Sequence, residues 1–199
     1  MKSSCPHRRR LLHLGVGGGL GAAAALVRPA LARALPASPA AGPWPVSTAA
    51  RALALDHLHT RERLDLVYAQ ADAYLPPALQ TLNHFLRDHY SGLVGRMDPA
   101  LFDLMHRVRA LLRPPRGQAP YQIISGYRGP ATNLHLQRTR GGGVATRSLH
   151  LEGRAVDLRL PGVPLAELRD AALSLRAGGV GYYPNEQFVH LDTGRVRSW

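Results

Sequence analysis

Hydrophobic and polar positions along the chain follow two periods, and the changes between them outline the elements. Leu53-Ala54-Leu55-Asp56-His57-Leu58 and Leu64-Asp65-Leu66-Val67-Tyr68 alternate around His59-Thr60-Arg61-Glu62, which predicts a β-hairpin. Pro76-Pro77 then opens a helix to about residue 90, with Leu79, Leu82, Phe85 and Leu86 on one stripe. His84 and His89 fall off that stripe and are expected at the surface. Asp98-Pro99 is a helix-start signal, with proline at the first helical position. The pattern runs on to Leu112 with Leu101, Leu104, Met105, Val108, Leu111 and Leu112 inward, and Pro114-Pro115 stops it. A strand over residues 121–127 leads into Arg128-Gly129-Pro130. A short helix over 131–140 and the glycines Gly141-Gly142-Gly143 follow. Residues 155–160 alternate as a strand, 164–176 form an amphipathic helix, and 180–183 with 188–192 form a second hairpin across Pro184-Asn185-Glu186. Hairpins mixed with separated helices predict an α+β fold. In it a small antiparallel sheet carries its functional groups on one face, and helices pack on the other.

The first 48 residues have a different character. Arg8, Arg9 and Arg10 precede a 17-residue apolar run, Leu11 to Val27, that is rich in Gly and Ala and interrupted by His13. A spanning helix needs about 20 apolar residues, so residues 1–34 read as a signal peptide, with Ala30-Leu31-Ala32 and Ala32-Arg33-Ala34 as small-residue cleavage sites. Arg9-Arg10-Leu11-Leu12 resembles a twin-arginine export signal. The other reading is an uncleaved signal anchor. Residues 35–48 hold Pro36, Pro39, Pro43 and Pro45 and form a Pro/Ala-rich linker. The folded domain is expected at 49–199, a monomer without a stable membrane span once the signal is removed.

Charge changes the picture less than its formal value suggests. The whole chain carries +12, but six of its 25 basic residues and none of its 13 acidic ones lie in residues 1–34, which leaves +6. A moderately basic domain suits an anionic partner, and cell-wall polymer fits as well as nucleic acid. No motif of a nucleic-acid reader is present. The single cysteine, Cys5, lies in the signal, so the exported chain has neither disulfides nor thiol chemistry.

Strand parity brings candidate chemistry together. In residues 155–160, Val156, Leu158 and Leu160 share one face and Ala155, Asp157 and Arg159 the other. In residues 188–192, Val189 and Leu191 face one way, and Phe188, His190 and Asp192 the other. If these strands pair, Asp157 and His190 point together from the face opposite the core. His150 lies seven residues before Asp157, in a turn-prone approach through Gly153, and can close over them. Two imidazoles and a carboxylate match the protein ligands of a catalytic zinc site. Each spacing alone fits an ordinary structural histidine equally well. His57 and His59 mimic a metal pair but have no third ligand nearby, and His135 stands outside the motif.

His150-x-x-Gly153-x-Ala155-x-Asp157, followed by a later strand histidine, resembles the lysostaphin and D-Ala-D-Ala metallopeptidase superfamily, which includes VanX-type dipeptidases and the hedgehog domain. Ser125-Gly126-Tyr127-Arg128, Ser148 to Asp157, Gly181-Tyr182-Tyr183-Pro184 and Phe188 to Gly194, with Arg197 and Trp199, are most similar to periplasmic murein endopeptidases of the YcbK/MepK type. The resemblance implies one Zn2+ per chain on His150, Asp157 and His190, and zinc-dependent hydrolysis of peptidoglycan peptides. It favours an L,D-endopeptidase acting between diaminopimelate residues. A D,D-carboxypeptidase or D,D-endopeptidase, or a non-catalytic zinc- or wall-binding domain, is the alternative. It also implies that Arg128 binds substrate near the scissile carbonyl and that Ser148 lies near the metal. Many VanX-type relatives carry a Glu three residues before the last histidine ligand, where this chain has Gln187. Asp192 is therefore the expected base or supporting carboxylate, with Glu186 as the other candidate and Tyr182 or Tyr183 as an oxyanion donor.

Overall fold

A computed structural model of the chain describes residues 50–112, 119–139 and 144–199. The signal, the linker, Pro114-Pro115 and the Gly141-Gly142-Gly143 run lie outside the described residues. The elements are β1 (Ala50–His57), β2 (Arg63–Gln70), β3 (Ala73–Tyr74), α1 (Pro76–Phe85), α2 (Pro99–Leu112), β4 (Tyr121–Ser125), α3 (Pro130–Thr139), a 3-10 turn (Leu149–Glu152), β5 (Ala155–Arg159), α4 (Leu165–Ser174), β6 (Gly179–Tyr183), β7 (Phe188–Asp192) and β8 (Arg197–Ser198). The fold is α+β. One eight-stranded sheet has the order β3-β2-β1-β4-β5-β7-β6-β8. Its pairings are antiparallel except for β1 with β4 and β6 with β8.

The first hairpin forms as its alternation predicts, and Leu53, Leu55 and Tyr68 fall inside the core. Helix α2 starts at Asp98, whose Oδ1 accepts the Ala100 N–H at 3.0 Å. Leu101, Met105 and Val108 of α2 pack with Leu158, Val189, Leu191 and, from α4, Leu168 in one cluster. These are the apolar parities of β5 and β7, so the opposite parity is left for chemistry. Leu111, expected inward, sits at the margin of the α2 stripe and is 52% exposed. Helix α1 ends at Phe85 rather than near residue 90 because Asp88 captures the chain. Its Oδ1 takes the Tyr90 N–H at 2.9 Å and its Oδ2 takes the Gly129 N–H at 2.8 Å. Asp88 thereby braces the loop that carries Arg128. No helix among the described residues is long and apolar enough to cross a membrane.

His89, expected at the surface, is half-buried and stacks on His59 with ring centroids 4.1 Å apart. His57 is fully buried, and its Nδ1 accepts the N–H groups of His59 and Thr60 at 3.3 and 3.4 Å. Burial, helped by the neighbouring His89 and His59, lowers its pKa from 6.5 to about 4. Between those values the unfolded chain binds the proton and the folded one does not. Stability from this group is therefore full above pH 6.5 and falls as the pH drops toward 4. In His57→Asn the amide oxygen can still accept the turn N–H groups, and the variant should lose less stability than the parent between pH 7 and pH 5. Urea unfolding at both pH values measures this, and equal losses would remove His57 as the source.

Candidate metal centre

Three separate elements deliver the site. The 3-10 turn carries His150 and ends at Gly153, whose φ is 68°. A Cβ at Gly153 would run into the Arg96 carbonyl oxygen, so glycine is required twice over, by conformation and by space. The Arg128 N–H donates to the His150 carbonyl at 3.1 Å and the Asp98 N–H to the Gly153 carbonyl at 2.9 Å, fixing the turn against two neighbouring loops. Strands β5 and β7 pair with Asp157 directly opposite His190.

The donor atoms form a small triangle. His150 Nε2 lies 3.2 Å from His190 Nδ1 and 3.2 Å from Asp157 Oδ1, and His190 Nδ1 lies 2.8 Å from that oxygen. Donors held about 2.0–2.1 Å from a tetrahedral zinc ion are roughly 3.3 Å apart, so the triangle fits such an ion with little movement. The ring protons are directed elsewhere. His150 Nδ1 donates to the Gly126 carbonyl at 2.7 Å, and His190 Nε2 faces Asp192 Oδ2 at 3.2 Å. With the far nitrogens as donors, both neutral rings aim lone pairs at the point where Asp157 aims its oxygen. Among the described residues this is the group of three side chains able to hold a metal ion.

Electrostatics prepare His150 and Asp157 for that role, whereas His190 must give up a more tightly held proton to a metal. Burial pushes His150 down to about 4, so its ring is neutral at neutral pH. Burial opposes ionisation of Asp157, but the nearby His150 and the Arg128 guanidinium outweigh it and hold the carboxyl well below its usual range. His190 moves upward: burial pulls its pKa down, and its hydrogen bonds to Asp157 and Asp192 more than reverse this. Deprotonated carboxylate and imidazole lone pairs are the species a metal binds.

A cleft of about 300 Å³ opens over the triangle, lined in part by Arg128, Ser148, Tyr183, Glu186, Arg197 and Trp199. Arg128 is buried. Its Nε donates to Ser125 Oγ at 2.9 Å, and one terminal nitrogen donates to the second oxygen of Asp157. Ser148 is buried at the start of the histidine turn. The tyrosine pair separates by parity. Tyr183 lies opposite Phe188, on the His190 side, whereas Tyr182 lies opposite Val189 and packs toward the helices beside Arg169. Glu186 is exposed at the cleft. Gln187 has a φ of 59°, and its side-chain amide folds back onto the Pro184 carbonyl.

Asp192 is placed behind His190 and does not line the cleft. It is fully buried. Its Oδ1 accepts the Gly179 and Gly194 N–H groups at 2.9 and 2.8 Å, and its Oδ2 accepts from Arg197 at 2.7 Å besides facing His190. Burial alone would raise its pKa, yet His190 first, and then the Gly179 and Gly194 N–H groups, hold it at about 2. Strand parity put Asp192 on the correct face, but the sequence did not reveal that β8 and Gly179 close over it.

Sequence reasoning named Arg197 and Trp199 within the resemblance but gave them no place at the site. Trp199 stands 5.3 Å from the His190 ring, and its Nε1 donates to Tyr183 Oη at 2.7 Å. Arg197 stacks on that indole at 4.8 Å. Gly181 lies opposite His190 in the β6–β7 ladder, and a Cβ there would meet the Trp199 and Tyr183 rings at 2.8 Å. A glycine inside a strand pattern is the available signal for that close approach.

Residues 46–199 match the family model described as "Peptidoglycan L,D-endopeptidase MepK". The chain belongs to this family. The peptidoglycan L,D-endopeptidase MepK of Escherichia coli K12 is 43% identical over 193 residues, which are 97% of each chain. The probable MepK of Haemophilus influenzae is 40% identical over 149 residues, 75% of this chain and 78% of that one. Among solved structures, the Serratia marcescens L-Ala D-Glu endopeptidase ChiX aligns at a TM-score of 0.33 and 19% identity, covering 50% of this chain and 68% of its own. The MepK match contains every residue of the triangle and of the cleft around it.

Proposed function

We propose that this protein is a zinc-dependent peptidoglycan peptidase that cleaves L,D crosslinks between diaminopimelate residues in the periplasm, reached by twin-arginine export. The observation that carries the reading is the triangle of two imidazole nitrogens and one carboxylate oxygen on the floor of an open cleft. Membership of the MepK family supports the substrate class.

His150, Asp157 and His190 would hold the ion. When bound there, the ion would supply a more acidic water molecule and polarisation of the carbonyl to be attacked. The chain's own groups do the rest. Glu186, exposed at the cleft and without a hydrogen bond or ion pair among the described residues, takes the water proton and passes it to the leaving amine. Arg128 fixes the Asp157 carboxylate and presents the remainder of its guanidinium beside the scissile carbonyl. Tyr183 Oη already accepts the indole N–H, so its own proton is available to the developing oxyanion. Ser148 helps to form the wall beside His150.

Asp192 acts as a positioning carboxylate. It holds the His190 tautomer and orients the ring. Asp192→Asn keeps an acceptor there but removes the charge, and should weaken zinc binding about 10- to 100-fold. The rate at saturating zinc should stay near that of the parent. Competition with a chromogenic chelator and assays across zinc concentrations separate the two quantities. A large rate loss at full occupancy would return Asp192 to a direct part in proton transfer.

The proposal as a whole is tested by incubating the mature protein, with measured zinc content, with purified sacculi and identifying products by mass spectrometry. Release of peptides freed at diaminopimelate–diaminopimelate bonds is the expected result. Cleavage confined to D-Ala–diaminopimelate bonds would overturn the L,D reading. Activity after verified zinc removal would overturn the metallopeptidase reading.

A further inference from the structure

The cleft holds three arginines, and their partners differ. Arg128 is engaged by Ser125 and Asp157. Arg197 is engaged by Asp192 and stacked on Trp199. Arg147 is exposed at the same cleft and has no hydrogen bond or ion pair among the described residues. It stands immediately before Ser148, three residues from the ligand His150, at the mouth of the histidine turn. Val144 and Ala145, which precede it in the chain and also line the cleft, are uncharged. A guanidinium left free beside a catalytic floor is a ready partner for an anion brought in by the substrate, and its planar fork matches a carboxylate.

We propose that Arg147 is a specificity-determining residue that grips the free carboxylate on the carbon bearing the scissile amide nitrogen. This rests on the peptidase reading above. In a crosslink made through the amine of a diaminopimelate residue, that carbon carries both the acylated nitrogen and a free carboxylate. Holding the carboxylate fixes the leaving amine over the triangle. It also makes the enzyme discriminate against crosslinks in which the group is amidated. Arg128 cannot serve equally, because Ser125 and Asp157 take its Nε and one terminal nitrogen, and what remains does not present a free two-pronged fork.

The test uses purified crosslinked muropeptide dimers, as the free acid and with that carboxylate amidated, and full mature protein. A charge-assisted contact of this kind predicts roughly a 10- to 100-fold preference of the parent for the free acid, expressed mainly in KM. Arg147→Gln should raise the free-acid KM to that of the amide and erase the preference. Arg147→Lys should restore part of it, and zinc content should be the same in all three. The same comparison by calorimetry on zinc-stripped protein reads binding without turnover. Equal handling of the two dimers by the parent, or a preference that survives in Arg147→Gln, overturns the role of Arg147. Failure to hydrolyse either dimer, with the binding preference intact, strikes the peptidase reading and leaves the carboxylate site standing.

Discussion

His190→Ala is expected to lose zinc and hydrolysis together. The substitution removes one corner of the triangle and leaves His150 Nε2 and Asp157 Oδ1, 3.2 Å apart, as the remaining donors. Two protein ligands bind zinc far less well than three, because the third completes a site that the fold has already arranged. The change also frees Asp192 from its ring partner, but Gly179, Gly194 and Arg197 continue to hold that carboxylate. The fold should therefore survive. Metal analysis after gel filtration, with a circular dichroism melt as control, reads the result. His150→Ala should behave alike at the metal, although it also strips the Gly126 carbonyl of its donor. A His190→Ala protein that keeps one zinc per chain and full turnover would remove this triangle as the active centre.

Glu186→Gln should keep zinc and lose turnover. The amide has nearly the shape of the carboxylate but cannot take a proton at neutral pH, and loss of a general base costs about 10²- to 10⁴-fold. The exposed position argues against any folding defect. Rates on a defined crosslinked dimer at saturating zinc measure the effect. Undiminished activity would send the base role elsewhere in the cleft. Between Glu186 and β7 stands Gln187, with a left-handed φ of 59°. Strand alternation does not carry across such a residue. That is why counting back from His190 does not settle which turn residue faces the cleft.

Much of this molecule was legible in local pattern. The helix from Pro99 to Leu112 follows from a proline and a capping aspartate ahead of an apolar stripe. The parity that sends Val156, Leu158, Val189 and Leu191 inward leaves Asp157 and His190 on the other face, because side chains alternate along any strand. The motif around His150 and the family resemblance pointed to the third corner of the triangle. Tertiary structure decided what depends on pairing partners distant in the chain. The parallel pairing of β8 with β6 brings Arg197 and Trp199 to the site, and a two-residue strand has too few positions to show a period. The register of the β6–β7 hairpin selects Tyr183 over Tyr182, through a turn whose conformation the sequence does not specify uniquely. Asp192 and Glu186 differ in burial because Gly179, Gly194 and Arg197 close over Asp192 and nothing among the described residues binds Glu186. Sequence by itself determined which residue types share a face. The packing of distant segments decided which of them meets solvent and the cleft, since burial depends on everything that covers a residue, not on its own strand alone.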